Sequence, residues 1–225
     1  MAGRSSGGVP AAAYGRLLAI AAHDLRSPLG AIVGALDLLD EDANEDTRSL
    51  VRVLRRSTQA LTRLAADMSA LGGSRGEVVP AETRLADVVR GALARINELA
   101  TARGVTLEAD LEEVVTVVDG TVFGHLCDIL LDDTIAASLR NATVRVLLRR
   151  EATVDVATTL LVIEGEGPPP DDAAAYFVTP RTRARGGRGS GIAPVAAGVL
   201  ADLLSVSLCA EPASAGGGVR FLVRL

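Results

Sequence analysis

The sequence predicts an α+β protein. An N-terminal antiparallel helical hairpin, built to pair with a second copy as a four-helix bundle, precedes helices segregated to one face of a mixed sheet. Three observations carry this. Leucines recur at coiled-coil spacing in two segments before residue 72, and a glycine-rich break follows. Beyond the break, amphipathic stretches alternate with short β-branched runs. The core is aliphatic, since 48% of the 225 residues are hydrophobic and only 2% aromatic.

The first helix spans residues 11–39, where Leu18, Leu25, Leu29, Ile32, Leu36 and Leu39 fall on one seam. An acidic turn (Asp40, Glu41, Asp42, Glu45, Asp46) leads to a second seam, Leu50, Leu54, Leu61, Leu64, Met68 and Leu71, with Ser57 at the skipped position. One hairpin has too few layers to cover both faces, so a homodimer is expected ahead of the alternative, a stripe packed on the rest of the chain. Gly72, Gly73 and Gly76 end the second helix and supply a hinge. The domain plan is a disordered tail at 1–10, the hairpin at 11–73, a linker at 74–80 and the α+β unit at 81–225.

Within that unit, residues 85–102 read as an amphipathic helix, and 105–107 and 114–118 as strands. A helix is expected over 121–139, a strand over 142–149 and a buried strand over 158–163. The Gly/Pro/Arg-rich stretch 165–191 shows little regular structure. A helix at 192–204 and strands at 205–210 and 219–225 close the chain.

Charge narrows the function. All 23 basic residues are arginine, against 28 acids and a net charge of -5, the wrong balance for a general nucleic-acid binder. Without lysine there is no Schiff-base or P-loop chemistry. Cys127 and Cys209 form no metal-type or disulfide pattern. Residues 1–10 are small and polar, unlike a signal peptide, and no run is apolar enough for a membrane span. A soluble cytoplasmic protein is expected.

His23, one of two histidines, lies beside the first seam rather than in it, so its ring faces solvent. Asp24 follows, Ser27 is one turn on, and Pro28 loosens the helix by removing a hydrogen bond. A carboxylate holding one ring N–H selects the tautomer whose other nitrogen attacks. On this chemistry alone, an ordinary surface histidine in a proline-containing bundle fits as well.

The run His23-Asp24-Leu25-Arg26-Ser27-Pro28-Leu29 resembles the phosphoacceptor box of sensor histidine kinases, in a matching hairpin. The resemblance implies that His23 is phosphorylated and exchanges the group with an aspartate on a response-regulator receiver domain, free or on a hybrid kinase. Arg16, Leu17, Arg26 and Ala31 are expected to line the contact, with Asp24 and Ser27 assisting catalysis.

The element order after Gly76 is similar to the family's ATP-binding domain, so 81–225 reads as a degenerate version of it. The resemblance places the magnesium-binding Asn on Asp133, its neighbouring Asn on Ile129 and the following basic residue on Ala136. Asp133 is thus the expected ligand for magnesium and nucleotide. Glu164-Gly165-Glu166-Gly167 stands for the family's Asp-x-Gly-x-Gly, with Glu164 as the adenine-reading acid and Gly165 and Gly167 shifted one step toward it. Phe177 is the counterpart of the F box. The run Gly187, Gly189, Gly191 leads into a helix, an arrangement that offers backbone N–H groups to phosphate. His125 is expected as a half-buried helix residue, and Asp128, Asp132 and Asp133 as an acidic cluster, a solvated face ahead of a remnant metal site or a docking surface.

Two-component phosphoryl transfer through His23, with ATP binding weakened or lost, is therefore the expected function. Alternatives are a soluble autokinase using Mg-ATP, favoured by the kept glycines, and a non-catalytic pseudokinase scaffold.

Overall fold

The computed structural model describes residues 78–152, 157–169, 172–179, 191–213 and 217–225, with Ile32, Leu54 and Leu61. Those last three belong to the predicted seams, and all are helical and half-buried. The rest of the predicted hairpin, and with it the four-helix bundle, lies outside the described residues.

Strand β1 (Ala81–Arg84) pairs antiparallel with β3 (Val115–Val118) as a two-stranded ribbon. The main sheet has five strands in the order β2-β4-β5-β7-β6. These are β2 (Thr106–Leu111), β4 (Thr143–Ala152), β5 (Ala157–Gly165), β6 (Ser207–Pro212) and β7 (Val219–Arg224). Only β2 and β4 run parallel. Among the described residues 78–225, three helices cover one face: α1 (Leu85–Arg103), α2 (Gly120–Ala137) and α3 (Ala193–Leu204).

Helix α1 forms because Leu85, Val89, Ala92, Ile96 and Ala100 make one buried stripe at three- and four-residue steps. It stops at Gly104, whose left-handed φ of 67° lets its N–H reach the carbonyls of Ala100 and Thr101. Helix α2 starts on Asp119, whose carboxylate accepts from the N–H groups of Thr121 at 2.9 Å and Val122 at 3.0 Å. Its other oxygen takes the Val79 N–H at 3.1 Å, tying the start of the ribbon to the helix. Unlike α1, α2 is buried around most of its circumference, because α1, α3 and the sheet all pack on it.

The sheet alternates as a half-covered sheet must. Val144, Val146, Leu148, Leu161, Ile163, Val219, Phe221 and Val223 point under the helices and are buried. The opposite face carries a row of alternating charge across all five strands, Glu108–Arg145–Glu164–Arg220–Glu211. Arg145 meets Glu108 at 3.3 Å and Arg220 meets Glu164 at 2.9 Å. Beside this row, Leu160, Val162 and Leu222 form a second small cluster, with Leu147 and Cys209 packed against it.

The sequence reading placed each element of the main sheet and all three helices within a few residues. It missed β1. That strand is four residues of mixed polarity, Ala-Glu-Thr-Arg, and its extended form is set by pairing with β3 rather than by any local pattern. No helix among the described residues is long and apolar enough to cross a membrane.

Leu161, wholly buried beneath the helices, contrasts with Val117, two-thirds exposed on the ribbon. Leu161→Ala is expected to lower unfolding free energy by about 2–5 kcal/mol, and Val117→Thr to change it by no more than about 0.5 kcal/mol. Urea unfolding followed by circular dichroism measures both.

Candidate functional site

Of the sequence-predicted residues of the second unit, Gly165 and Gly167 lie where β5 ends against α2, close to Asp133. Asp133 lies on the inner side of α2, only 6% exposed. Its carboxylate accepts a hydrogen bond from the phenol of Tyr176, which is itself wholly buried. The neighbouring Thr134 turns its hydroxyl back to the Leu130 carbonyl at 2.7 Å, which aims its methyl at the end of β5.

Strand register decides what that methyl meets. Val144 and Val146, both under the helices, pair with Gly165 and Ile163, so Gly165 faces α2 and Glu164 faces away. A Cβ on Gly165 would lie 2.4 Å from Thr134 Cγ2 and 3.0 Å from Ser138 Oγ. A Cβ on Gly167 would lie 2.4 Å from the Ala137 carbonyl oxygen. From the other side, Gly218 (φ 125°) sets its backbone on Gly165, where a Cβ would approach the carbonyl oxygen to 2.0 Å. These three glycines are close-packing residues: backbone lies on backbone where any side chain would intrude.

Helix α3 begins at Ala193 after a buried Gly191, with Pro194 in its first turn. Proline lacks an N–H, so one of the few donors that a helix start offers to an anion is missing. Gly187 and Gly189 lie outside the described residues, as do His23, Asp24 and Ser27 and the expected contact residues Arg16, Leu17, Arg26 and Ala31.

Residues 13–72 match the His Kinase A (phospho-acceptor) domain, a span that contains His23. The chain superposes on Acinetobacter baumannii histidine kinase AdeS with TM-score 0.65 at 17% identity, covering 90% of this chain and 96% of that one. The chain therefore has the fold of this histidine kinase, with a phospho-acceptor domain match over residues 13–72. Its fold is also that of a mycobacterial sensor histidine kinase, MprB, at TM-score 0.55 and 20% identity, covering 65% of this chain and 97% of that one. A structure of histidine kinase ThkA in complex with response regulator protein TrrA matches at TM-score 0.67 and 18% identity, over 95% of this chain and 62% of that one. No curated protein sequence matches the chain.

Two expectations are corrected by this geometry, one drawn from the histidine kinase resemblance and one from the acidic residues themselves. Glu164 cannot stand for the adenine-reading acid: one step of strand alternation puts its side chain on the far face, paired with Arg220 at 2.9 Å. The position that faces α2 is Gly165, which has no side chain to offer. Gly165 and Gly167 pack against α2 on the side that a Cβ would take. The acidic trio is not one solvated face either. Asp128 receives a forked contact from Arg95, with Nη2 at 2.9 Å, while Asp132 is half-buried and Asp133 enclosed. Partial burial holds the Asp128 carboxyl above the ordinary range, against the pull of Arg95.

The magnesium expectation for Asp133 meets the same difficulty. Its carboxylate is enclosed and engaged by Tyr176. As placed, the Asp133 carboxylate is therefore not open to a magnesium ion. His125 is half-buried on α2, and burial pushes the Cys127 thiol far up, which makes it an inert core residue.

Sequence reasoning missed Tyr176. The signal was its rarity, one of two tyrosines beside Phe177 in a turn. The rings of Tyr176, Phe177 and Phe221 pack as a trio with centroids 5.1 to 5.4 Å apart.

Gly165→Ala is expected to destabilise the domain by about 1–3 kcal/mol through overpacking. Adding Thr134→Ser, which deletes the opposing methyl and keeps the hydroxyl, should recover part of that loss. A double-mutant cycle in urea measures the coupling; additive effects would contradict the contact.

Proposed function

We propose that the protein is a phosphoryl carrier of two-component signalling, exchanging phosphoryl between His23 and an aspartate of a response-regulator receiver domain. The observation that carries this reading is the phospho-acceptor match over residues 13–72, with His23 and its Asp24 inside it. That a ThkA structure of the same fold is a complex with a response regulator supports the class of partner.

The chemistry is a balanced displacement. A receiver carboxylate oxygen attacks the phosphorus on phospho-His23, the N–P bond breaks, and its electron pair returns to the ring nitrogen. The reverse reaction loads the histidine. Asp24 holds the other ring N–H and so keeps the reacting nitrogen in the right tautomer; Ser27 lies one turn away, on the same helix in this reading. Little covalent work is required beyond positioning, because charge stays on the transferred group throughout. A homodimeric hairpin displays two such histidines, and the receiver arrives free or on a hybrid kinase.

The second unit serves this reading as shape rather than as an ATPase. Glu164 on the far face, side-chain-free Gly165, and Asp133 enclosed by Tyr176 support loss of nucleotide binding. An ATP-dependent autokinase is the competing reading, and the glycine run up to Gly191 is what favours it.

His23→Ala is expected to abolish phosphoryl acceptance from a phosphorylated receiver while leaving the fold and oligomeric state unchanged, as read by radiolabel transfer and size-exclusion chromatography. Retained labelling would eliminate the mechanism. Isothermal titration with Mg-ATP is expected to be silent; micromolar binding would promote the autokinase.

A further inference from the structure

The β1–β3 ribbon has two unlike faces. Alternation and register put Thr83, Thr116 and Val118 on one, where they are half-buried or buried. Glu82, Arg84, Val115 and Val117 share the other, and all four are exposed, Val115 by 50% and Val117 by 67%. Glu82 stands opposite Val117 there, and Arg84 opposite Val115. Beside Val115 the surface falls into a groove lined by Arg84, Asp87, Arg90 and Glu113. Asp87 and Glu113 both bind Arg90. Among the described residues, neither Glu82 nor Arg84 has an ion-pair partner.

Chain length limits what can cover this face. Val79, at the entry to β1, is held by its N–H on Asp119. The phospho-acceptor match ends at residue 72, and the seven steps from there to Val79 span at most about 25 Å. The last turns of the predicted second hairpin helix are therefore tethered within reach of the ribbon. A tether this short gives the two an effective concentration in the millimolar range, which lets a weak contact form.

That predicted helix has a side that matches. Ala60, Arg63, Asp67 and Ala70 each precede a seam residue, Leu61, Leu64, Met68 or Leu71, so they recur at steps of three and four just beside the seam. The alanines are small enough for a strand face to come close. One helical turn separates Arg63 from Asp67 by about 6 Å, and two strand residues separate Glu82 from Arg84 by about 7 Å. The order of charge is opposite, cation then anion on the helix and anion then cation on the ribbon.

We propose that the outer face of the ribbon docks residues 60–70 of the same chain. Glu82 pairs with Arg63 and Arg84 with Asp67, while Val117 covers Ala60 and Val115 covers Ala70. The contact makes one body of the two units across their short tether, whichever way phosphoryl flows.

The test uses the full chain, with hydrogen exchange followed over residues 60–71. Glu82→Arg is expected to speed exchange there by about threefold or more, and adding Arg63→Glu to restore it. Unchanged exchange in Glu82→Arg, or no restoration in the double variant, would overturn the proposal. Disulfide trapping identifies the occupant, in a Cys209→Ser background because Cys127 is buried and Cys209 is not. Asp67→Cys with Arg84→Cys is expected to close within one chain on mild oxidation, as read by non-reducing electrophoresis and peptide mass. Asp67→Cys with Glu211→Cys, on the opposite edge of the main sheet from β2, is expected to stay open. Both pairs closing alike, or neither closing, would overturn the docking, and a link between two chains would overturn the same-chain occupant in favour of a second copy.

Discussion

The contact on which the rest of the second unit depends is the seating of the β5 end on α2. Three positions without side chains, Gly165, Gly167 and Gly218, let two strands and a helix approach at backbone distance. Interiors are packed nearly as densely as organic crystals, so such a contact is close to all-or-nothing. With it made, α2 is enclosed on most sides, Thr134 faces β5, and Asp133 is left to find its partner among buried groups. The partner is Tyr176, because a buried carboxylate demands a donor and the phenol is placed to give one.

The register of β5 also ties the two faces of the sheet together. Moving the acid by one residue, from the inward position 165 to the outward position 164, removes a carboxylate from the helix side and adds one to a cross-strand row of alternating charge. Pairs of this kind contribute little singly in water, on the order of 0–1 kcal/mol. Their joint effect is on what the face refuses. Alternating signs along this row put charge, rather than apolar surface, on that part of the sheet face.

Much of this architecture was legible before any coordinates, and the reasons differ by element. The helices declared themselves through apolar steps of three and four, whereas their stop at Gly104 and start at Asp119 came from the structure. Strands β4, β5 and β7 were readable from β-branched and leucine-rich runs. Strand β1 was not, because its structure comes from a partner more than thirty residues away. The acceptor box around His23 was legible as a run of residue types, which is how the phospho-acceptor match also finds it. The second site was legible only in position. Which face Glu164 takes depends on the phase of a strand, and a one-residue ambiguity at a glycine-rich end reverses the answer. Tyr176 was invisible because its partner, Asp133, comes from a separate element that only tertiary packing brings to it.

The aromatic trio has a spectroscopic consequence. With no tryptophan in the chain, emission excited above the phenylalanine band comes from Tyr14 and Tyr176. A phenol hydrogen-bonded to a carboxylate in its ground state is a quenched emitter, so Tyr176 is dark while it stays bonded to Asp133 and brightens when it lets go. The folded domain therefore carries its own optical gauge of whether that one bond is closed, readable without a label.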